Sequence, residues 1–92
     1  MKKESVTLRV RGIVQGVGFR YFTVREAKKL GVSGFVRNEP DGSVYAYAEG
    51  GKLELEDFID VIRKGPRFGS VMEVGVEWGE YSGAYKDFDI TY

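Results

Sequence analysis

The 92-residue sequence has no histidine and no cysteine, and it has only one glutamine and one asparagine. Without cysteine there is no disulfide, no thiolate nucleophile and no thiolate metal site, and without histidine there is no imidazole base. An active site in this chain must therefore use arginine, an amide side chain, backbone N–H groups and water. Groups of this kind suit a site that handles phosphate.

Long apolar runs are missing as well, so no segment is expected to cross a membrane. The first residues lead straight into an alternating strand pattern rather than into the apolar region of a signal peptide, and we therefore expect a cytoplasmic protein. The length predicts one small domain, residues 1–92, with a modest core. Few Asn, Gln, Cys and Met residues beside 30% charged residues are typical of thermostable proteins.

The net charge is zero, because 14 lysine and arginine residues balance 14 aspartate and glutamate residues. General binding to a polyanion such as nucleic acid is therefore not expected. The charges are nevertheless unevenly placed. Residues 1–38 contain nine basic and two acidic side chains, a net charge of +7, and residues 39–92 contain five basic and twelve acidic ones, a net charge of −7. Either a positive field attracts a small anion to the first part, or the opposite charges pair across the fold.

The periodicity of apolar residues predicts two helices among several short strands. The predicted strands are 6–11, 33–37, 44–49, 74–78 and 88–92, and the predicted helices are 19–30 and 55–62. The order is β-α-β-β-α-β with an extra, short last strand. This order predicts an α+β fold of the ferredoxin-like, split-βαβ kind: one antiparallel sheet with both helices on one face.

A glycine-marked turn at 12–18, between the first strand and the first helix, has the chemistry of an anion site. Gly16 and Gly18 permit backbone angles that other residues resist, so successive N–H groups can converge on one point. The helix adds unpaired N–H groups and its positive end, and Arg20 can place a guanidinium on phosphate oxygens. The turn is neither a P-loop nor a dinucleotide fingerprint, since Tyr21 stands where the latter needs its third glycine.

The second glycine-marked turn follows the second strand and contains the only asparagine, Asn38. The two strands of a strand–helix–strand unit run in the same direction, so their carboxyl ends lie at one end of the sheet. We therefore expect the ferredoxin-like topology to bring Asn38 close to Arg20.

Each of these residues also has a purely structural interpretation. The glycines could make only a tight turn, Arg20 could be a solvated helix residue, and Gln15 could act only through its backbone. Asn38 could cap the turn at 40–42 by accepting a local hydrogen bond. Glu39 and Asp41 are assigned to that turn and not to a metal site, because two neighbouring carboxylates hold a metal poorly.

Together the two segments resemble the acylphosphatase family. Residues 10–20, VRGIVQGVGFR, match the first signature of the family, and residues 34–38, GFVRN, followed by Gly42-Ser43-Val44 and Gly50, match the second. Gly65-Pro66 and the closing segment 88–92 also fit, so the resemblance covers nearly the whole chain.

The resemblance implies hydrolysis of the carboxyl–phosphate bond of acyl phosphates, without a metal or another cofactor. It implies that Arg20 binds the phosphoryl group together with backbone amides of the loop, and that Asn38 orients the attacking water. The substrate-binding residues are then Gln15, Gly16, Val17, Gly18, Phe19 and Arg20. We also expect a monomer that inorganic phosphate inhibits competitively.

Three other functions remain open on sequence alone. They are a non-catalytic anion-binding module, a domain that handles carbamoyl phosphate in a hydrogenase-maturation carbamoyltransferase, and an RNA-binding ferredoxin-like domain. The presence of both Arg20 and Asn38 disfavours the first, because binding alone needs only the arginine and amides. The short chain favours a free-standing enzyme over the second. The third lacks a convincing aromatic RNP motif and a basic overall charge.

Overall fold

The computed structural model describes residues 2–92 and contains one five-stranded sheet with two helices packed on one face. The elements follow the predicted order β-α-β-β-α-β with an added short strand, so the ferredoxin-like fold is confirmed. They are β1 (Lys3–Ile13), α1 (Phe19–Leu30), β2 (Ser33–Asn38), β3 (Val44–Gly51), α2 (Lys52–Lys64), β4 (Ser70–Glu80) and β5 (Phe88–Ile90).

The strand order across the sheet is β4-β1-β3-β2-β5. β3 lies between β1 and β2 and is antiparallel to both, so β1 and β2 run in the same direction, as the strand–helix–strand argument requires. Val44 of β3 is in register with Val10 of β1 on one side and with Asn38 of β2 on the other. β5 pairs with β2 in the parallel direction, which the short apolar pattern at 88–92 could not indicate, so the sheet is mixed rather than wholly antiparallel.

The core lies between the sheet and the two helices. Val6, Leu8 and Val10 of β1 are fully buried against Leu55 and Phe58 of α2 and their neighbours. Burying one such side chain stabilises the folded state by roughly 1.5–3 kcal/mol. The apolar positions of strands and helices therefore recur with the period of each element, and this recurrence made the elements predictable. No helix within residues 2–92 has both the length and the apolar character needed to span a bilayer.

Two glycines of the sequence signatures hold neighbouring strands close together. Gly34 has a φ of 145° and Gly12 a φ of 136°, both in the region that favours glycine. A Cβ atom at Gly34 would overlap the carbonyl oxygen of Tyr47, and one at Gly12, beside the irregularity in the β1–β4 pairing, would overlap that of Ser70. Both positions therefore have a structural requirement for glycine that is separate from any chemistry at the turns.

Glu49 is a buried carboxylate that ties the segment after β4 to the sheet. Its side chain is 1% exposed and accepts hydrogen bonds from the Ser82 and Gly83 amides at 2.9 and 3.1 Å and from the hydroxyls of Ser82 and Tyr47. Burial by itself raises the pKa of the Glu49 carboxyl, but the hydrogen bonds donated by Ser82 and Tyr47 outweigh it and hold the pKa below its usual value. The ionised carboxylate therefore belongs to the folded state.

Replacing Glu49 by Gln should lower the free energy of unfolding at pH 7 by about 1–3 kcal/mol, because buried N–H donors lose a charged acceptor. The folded pKa of Glu49 is depressed below the ordinary 4.5. The stabilisation is therefore complete above that ordinary pKa and is lost as the pH falls through the folded pKa. Urea unfolding at pH 7 and pH 3 checks this, with Glu77→Gln on exposed β4 as the matched control. A deficit in Glu49→Gln that is equal at both pH values would contradict it.

Candidate functional site

The loop between β1 and α1 is fixed at both ends by buried side chains. Val14 and Phe19 are each 1% exposed and belong to the core, while Gln15, Gly16, Val17 and Gly18 run between them. Gly16 and Gly18 adopt φ values of 74° and 77°, which supports the prediction that both glycines permit a tight turn from strand to helix.

The helix that follows this loop presents unpaired N–H groups. Its N-cap is Gly18, which has no side chain to accept from them, and its first turn contains no acidic residue. The first N–H groups of a helix have no partner within the helix, and they form its positive end. The space beside Gly16 and Gly18 is open, since a Cβ at either would meet no heavy atom within 4 Å. The loop and the start of α1 can thus present donors to an anion, although the Phe19 side chain itself points into the core.

Arg20 forms no ion pair with any other residue in the range 2–92. Its guanidinium carbon instead lies 5.4 Å from the centre of the Tyr92 ring. Other basic side chains of the first part of the chain pair with acids of the second part: Arg11 with Asp41 at 3.4 Å and Arg37 with Glu39 at 3.3 Å. Opposite charges of the two parts of the chain therefore pair in places, and the attraction of a small anion to the first part stays a prediction.

Asn38 is the last residue of β2, and its side-chain oxygen Oδ1 is buried. This oxygen has no hydrogen-bond partner within the part of the chain that the structure describes. A buried polar atom without a partner costs about 1–3 kcal/mol, so it is uncommon unless a ligand or a water molecule satisfies it.

The alternative role for Asn38, as a cap of the following turn, is wrong. The turn is closed by the Glu39 amide donating to the Ser43 carbonyl at 2.9 Å and by the Gly42 amide donating to the Glu39 carbonyl at 3.1 Å. Asp41 completes it: hydrogen bonds from Ser43 hold the pKa of the Asp41 carboxyl below its usual value. Asp41 and Glu39 thus have the turn and surface roles that were predicted, and Asn38 is not needed there.

Gln15 joins the loop to the turn after Asn38. Its side-chain Nε2 donates to the carbonyl oxygens of Glu39 at 2.8 Å and Ser43 at 2.9 Å. Both hydrogens of Nε2 are therefore used within the protein, so the backbone N–H is the donor of Gln15 that remains for an anion, which favours a role through the backbone. These two bonds also show that the end of β2 and the glycine loop lie within hydrogen-bonding distance of each other.

The shared edge of the sheet explains why these segments meet. Val44 of β3 is flanked by Val10 and Asn38, so β1 and β2 lie about 10 Å apart there, two strand spacings. The loop leaves β1 just beyond this point. The contribution of Tyr92, which lies over Arg20, was not predicted, because nothing in the last residues signals a contact with a helix start 72 positions earlier.

Comparisons with known proteins agree with this geometry. The family model described as Acylphosphatase matches residues 6–90. A protein of Thermotoga petrophila named acylphosphatase is 51% identical over 89 residues, which cover 97% of this chain and 98% of the relative. The crystal structure of acylphosphatase from Bacillus subtilis superposes with a TM-score of 0.94 at 36% identity and covers 97% of this chain and 99% of that one. A crystal structure of T. kodakarensis HypF gives a TM-score of 0.84 at 28% identity, covering 97% of this chain but only 12% of HypF.

Replacing Gln15 by Ala should destabilise the unliganded protein by about 1–2 kcal/mol, because two carbonyls lose their donor. Affinity for inorganic phosphate should fall only modestly, since the side chain holds the loop rather than the anion. Urea unfolding and calorimetric phosphate titration measure the two effects. Unchanged stability together with a large loss of phosphate affinity would mean that the Gln15 amide contacts the anion directly.

Proposed function

The chain belongs to the acylphosphatase family, and we propose that it hydrolyses the carboxyl–phosphate bond of acyl phosphates to a carboxylate and inorganic phosphate. Arg20 and the backbone amides of Gly16–Phe19 hold the phosphoryl group, and Asn38 orients the attacking water. The proposal is supported most directly by one observation: the buried, unpartnered Oδ1 of Asn38 at the edge where the glycine loop leaves the sheet.

The chemistry of that oxygen favours water over phosphate as its partner. A carboxamide oxygen only accepts hydrogen bonds, and phosphate oxygens near neutral pH also act chiefly as acceptors, so the two repel. A water molecule can donate one hydrogen to Asn38 and turn a lone pair toward phosphorus. The water is then already aligned before the reaction, so the entropic cost of aligning it does not add to the barrier. Removing this cost is a large part of what positioning contributes to catalysis.

The phosphoryl group requires positive charge and donors rather than acid–base chemistry. Arg20 is free of carboxylates in the described chain, and its fork matches two phosphate oxygens. The amides of Gly16–Phe19 and the start of α1 supply further donors where charge develops. Phosphoryl transfer has a loose transition state, so gripping and orienting the group are the main tasks of the protein.

The leaving group explains why a chain without histidine suffices. The carboxylic acid that leaves has a pKa of about 4, by analogy with Asp and Glu side chains, so it departs as a carboxylate without a general acid. We propose that a phosphate oxygen of the substrate receives the proton of the attacking water. No metal or cofactor enters this scheme, the protein acts as a monomer, and inorganic phosphate competes as product.

A purely anion-binding role explains less of the site. An anion receptor gains from Arg20 and the amides but gains nothing from a buried carboxamide oxygen at its rim. Carbamoyl phosphate remains an alternative substrate of the same site, because its carbamoyl group also leaves from phosphorus through oxygen. It is therefore included beside benzoyl phosphate and acetyl phosphate in the assays below.

Replacing Arg20 by Ala should lower both kcat/KM and phosphate affinity by at least about a hundredfold, because the principal charge on the phosphoryl group is lost. The assay measures hydrolysis of acyl phosphates by chelator-treated protein, with phosphate binding followed by calorimetry. Arg25→Ala is the matched control on the same helix, where Arg25 pairs with Glu26. Equal losses in both variants, or activity that depends on added metal, would contradict the scheme.

Replacing Asn38 by Ala should lower kcat by about a hundredfold while phosphate affinity changes less than about threefold. Because Oδ1 forms no bond within the described chain, the free energy of unfolding should stay equal or rise by up to about 1 kcal/mol. This combination of lost turnover and retained stability separates a water-orienting group from a structural one. A loss of stability, or an equal loss of kcat and phosphate affinity, would refute the assignment.

A further inference from the structure

The open face of the sheet, opposite the helices, carries a cleft beside β2 and β5 that the phosphoryl site does not use. Its volume is about 400 Å³, within the roughly 300–1,000 Å³ typical of small-molecule sites. Three aromatic side chains contribute to its walls: Phe35 of β2, Tyr85 of the segment after β4, and Tyr92. Arg37 and Asp89 complete the part of the lining that matters here.

The cleft and the phosphoryl site share a wall. The ring of Tyr92 lines the cleft, and the same ring lies 5.4 Å from the guanidinium carbon of Arg20. The Thr91 amide donates to the Val36 carbonyl at 2.9 Å, which fixes Thr91 alongside β2, two positions before Asn38, while the Tyr92 side chain beyond it is 96% exposed. A group attached to a phosphoryl held by Arg20 can therefore reach the cleft past the Tyr92 ring.

Two of the aromatic walls, Phe35 and Tyr85, are ordered before any ligand binds. The rings of Phe35 and Tyr85 are 5.9 Å apart, and Tyr85 also packs on Tyr47 at 5.4 Å. The segment that carries Tyr85 is held by the bonds from its Ser82 and Gly83 amides to buried Glu49. A wall that is ordered beforehand loses little entropy when a ligand binds.

The charges of the cleft select against an acyl group with its own charge. The Arg37 guanidinium is bound to Glu39 at 3.3 Å and stacked on the Tyr45 ring at 4.4 Å, so it forms a flat side wall rather than a free anion receptor. The Asp89 carboxylate lines the same space and repels a second carboxylate. Flat rings with balanced charge favour a neutral, flat, apolar ligand.

We propose that this cleft is the subsite for the acyl group, and that it gives preference to acyl phosphates whose neutral acyl group has a flat apolar face, such as benzoyl, over small ones such as acetyl. The inference rests on the proposed function, because it assigns the phosphoryl group of the same substrate to Arg20. Tyr85 is the specificity-determining residue that can be changed most cleanly. It belongs to no strand or helix and is 37% exposed, so its removal leaves the core intact.

The test compares kcat/KM for benzoyl phosphate and acetyl phosphate in the wild type and in Tyr85→Ala. The substitution should lower the value for benzoyl phosphate by about threefold to tenfold, the range expected for one aromatic contact, and should change the value for acetyl phosphate less than about twofold. Tyr85→Phe keeps the ring and should restore the preference. Tyr81→Ala is the matched control, because Tyr81 lies in the same segment, is 42% exposed and contacts Lys3 outside the cleft. Equal losses for both substrates, or the same selective loss in Tyr81→Ala, would overturn the proposal.

A binding experiment separates failure of the cleft from failure of the proposed function. Benzylphosphonate and methylphosphonate are titrated into the wild-type protein and followed by the backbone amide shifts in its NMR spectrum. Shifts at Phe35 and Asp89 with benzylphosphonate alone support the cleft, and they do so even if neither acyl phosphate is hydrolysed, in which case only the proposed reaction fails. Shifts confined to the glycine loop with both phosphonates would refute the cleft while leaving the phosphate site in place.

Discussion

The candidate site depends on β3 lying between β1 and β2 and running against both. Because of this pairing, β1 and β2 run in the same direction with β3 between them. The segments that leave β1 and β2 therefore start at the same edge of the sheet. The glycine loop, which leads into α1, leaves the sheet at the edge where Asn38 ends β2, although the two segments are distant in sequence. The Gln15 amide then bonds across the remaining gap. Two turns of a small chain thereby come together without any further element.

Arg20 has no acidic partner among the described residues, whereas Arg11 and Arg37 each form an ion pair. Arg11 pairs with Asp41 and Arg37 pairs with Glu39, both acids of the second part of the chain. Such surface pairs contribute little to stability, typically below about 1 kcal/mol each. Their consequence is different: they give Asp41 and Glu39, the two acids of the turn after Asn38, basic partners of their own. Beside the start of α1, a phosphate dianion can therefore meet the guanidinium of Arg20, which has no acidic partner among the described residues.

Most of the fold and the position of the candidate site could be predicted from the sequence. The apolar periodicity of strands and helices and the two glycine-marked turns are all visible in short stretches of residues. The helix at Phe19–Leu30 was predicted to the residue, and Gly31 ends it with a φ of 73°, as is usual for a glycine after the last turn of a helix. The bonds of Gln15 and the packing of Tyr92 on Arg20 were not predictable, since each joins residues whose proximity exists only after folding. The parallel pairing of β5 with β2 was likewise not predictable, because β5 has only three residues. The roles of Arg20 and Asn38 in turnover remain predictions.

Gly12 and Gly34 have a consequence for how such proteins change over generations. Each lies where a neighbouring strand leaves no room for a side chain, so a larger residue at either position would disturb the sheet whether or not the protein is catalytically active. A duplicated gene whose product lost Arg20 or Asn38 could therefore encode an inactive protein that keeps the same fold and the same glycines. Active and inactive proteins would then differ at as few as one of these two side chains, and a comparison of folds alone would not distinguish them.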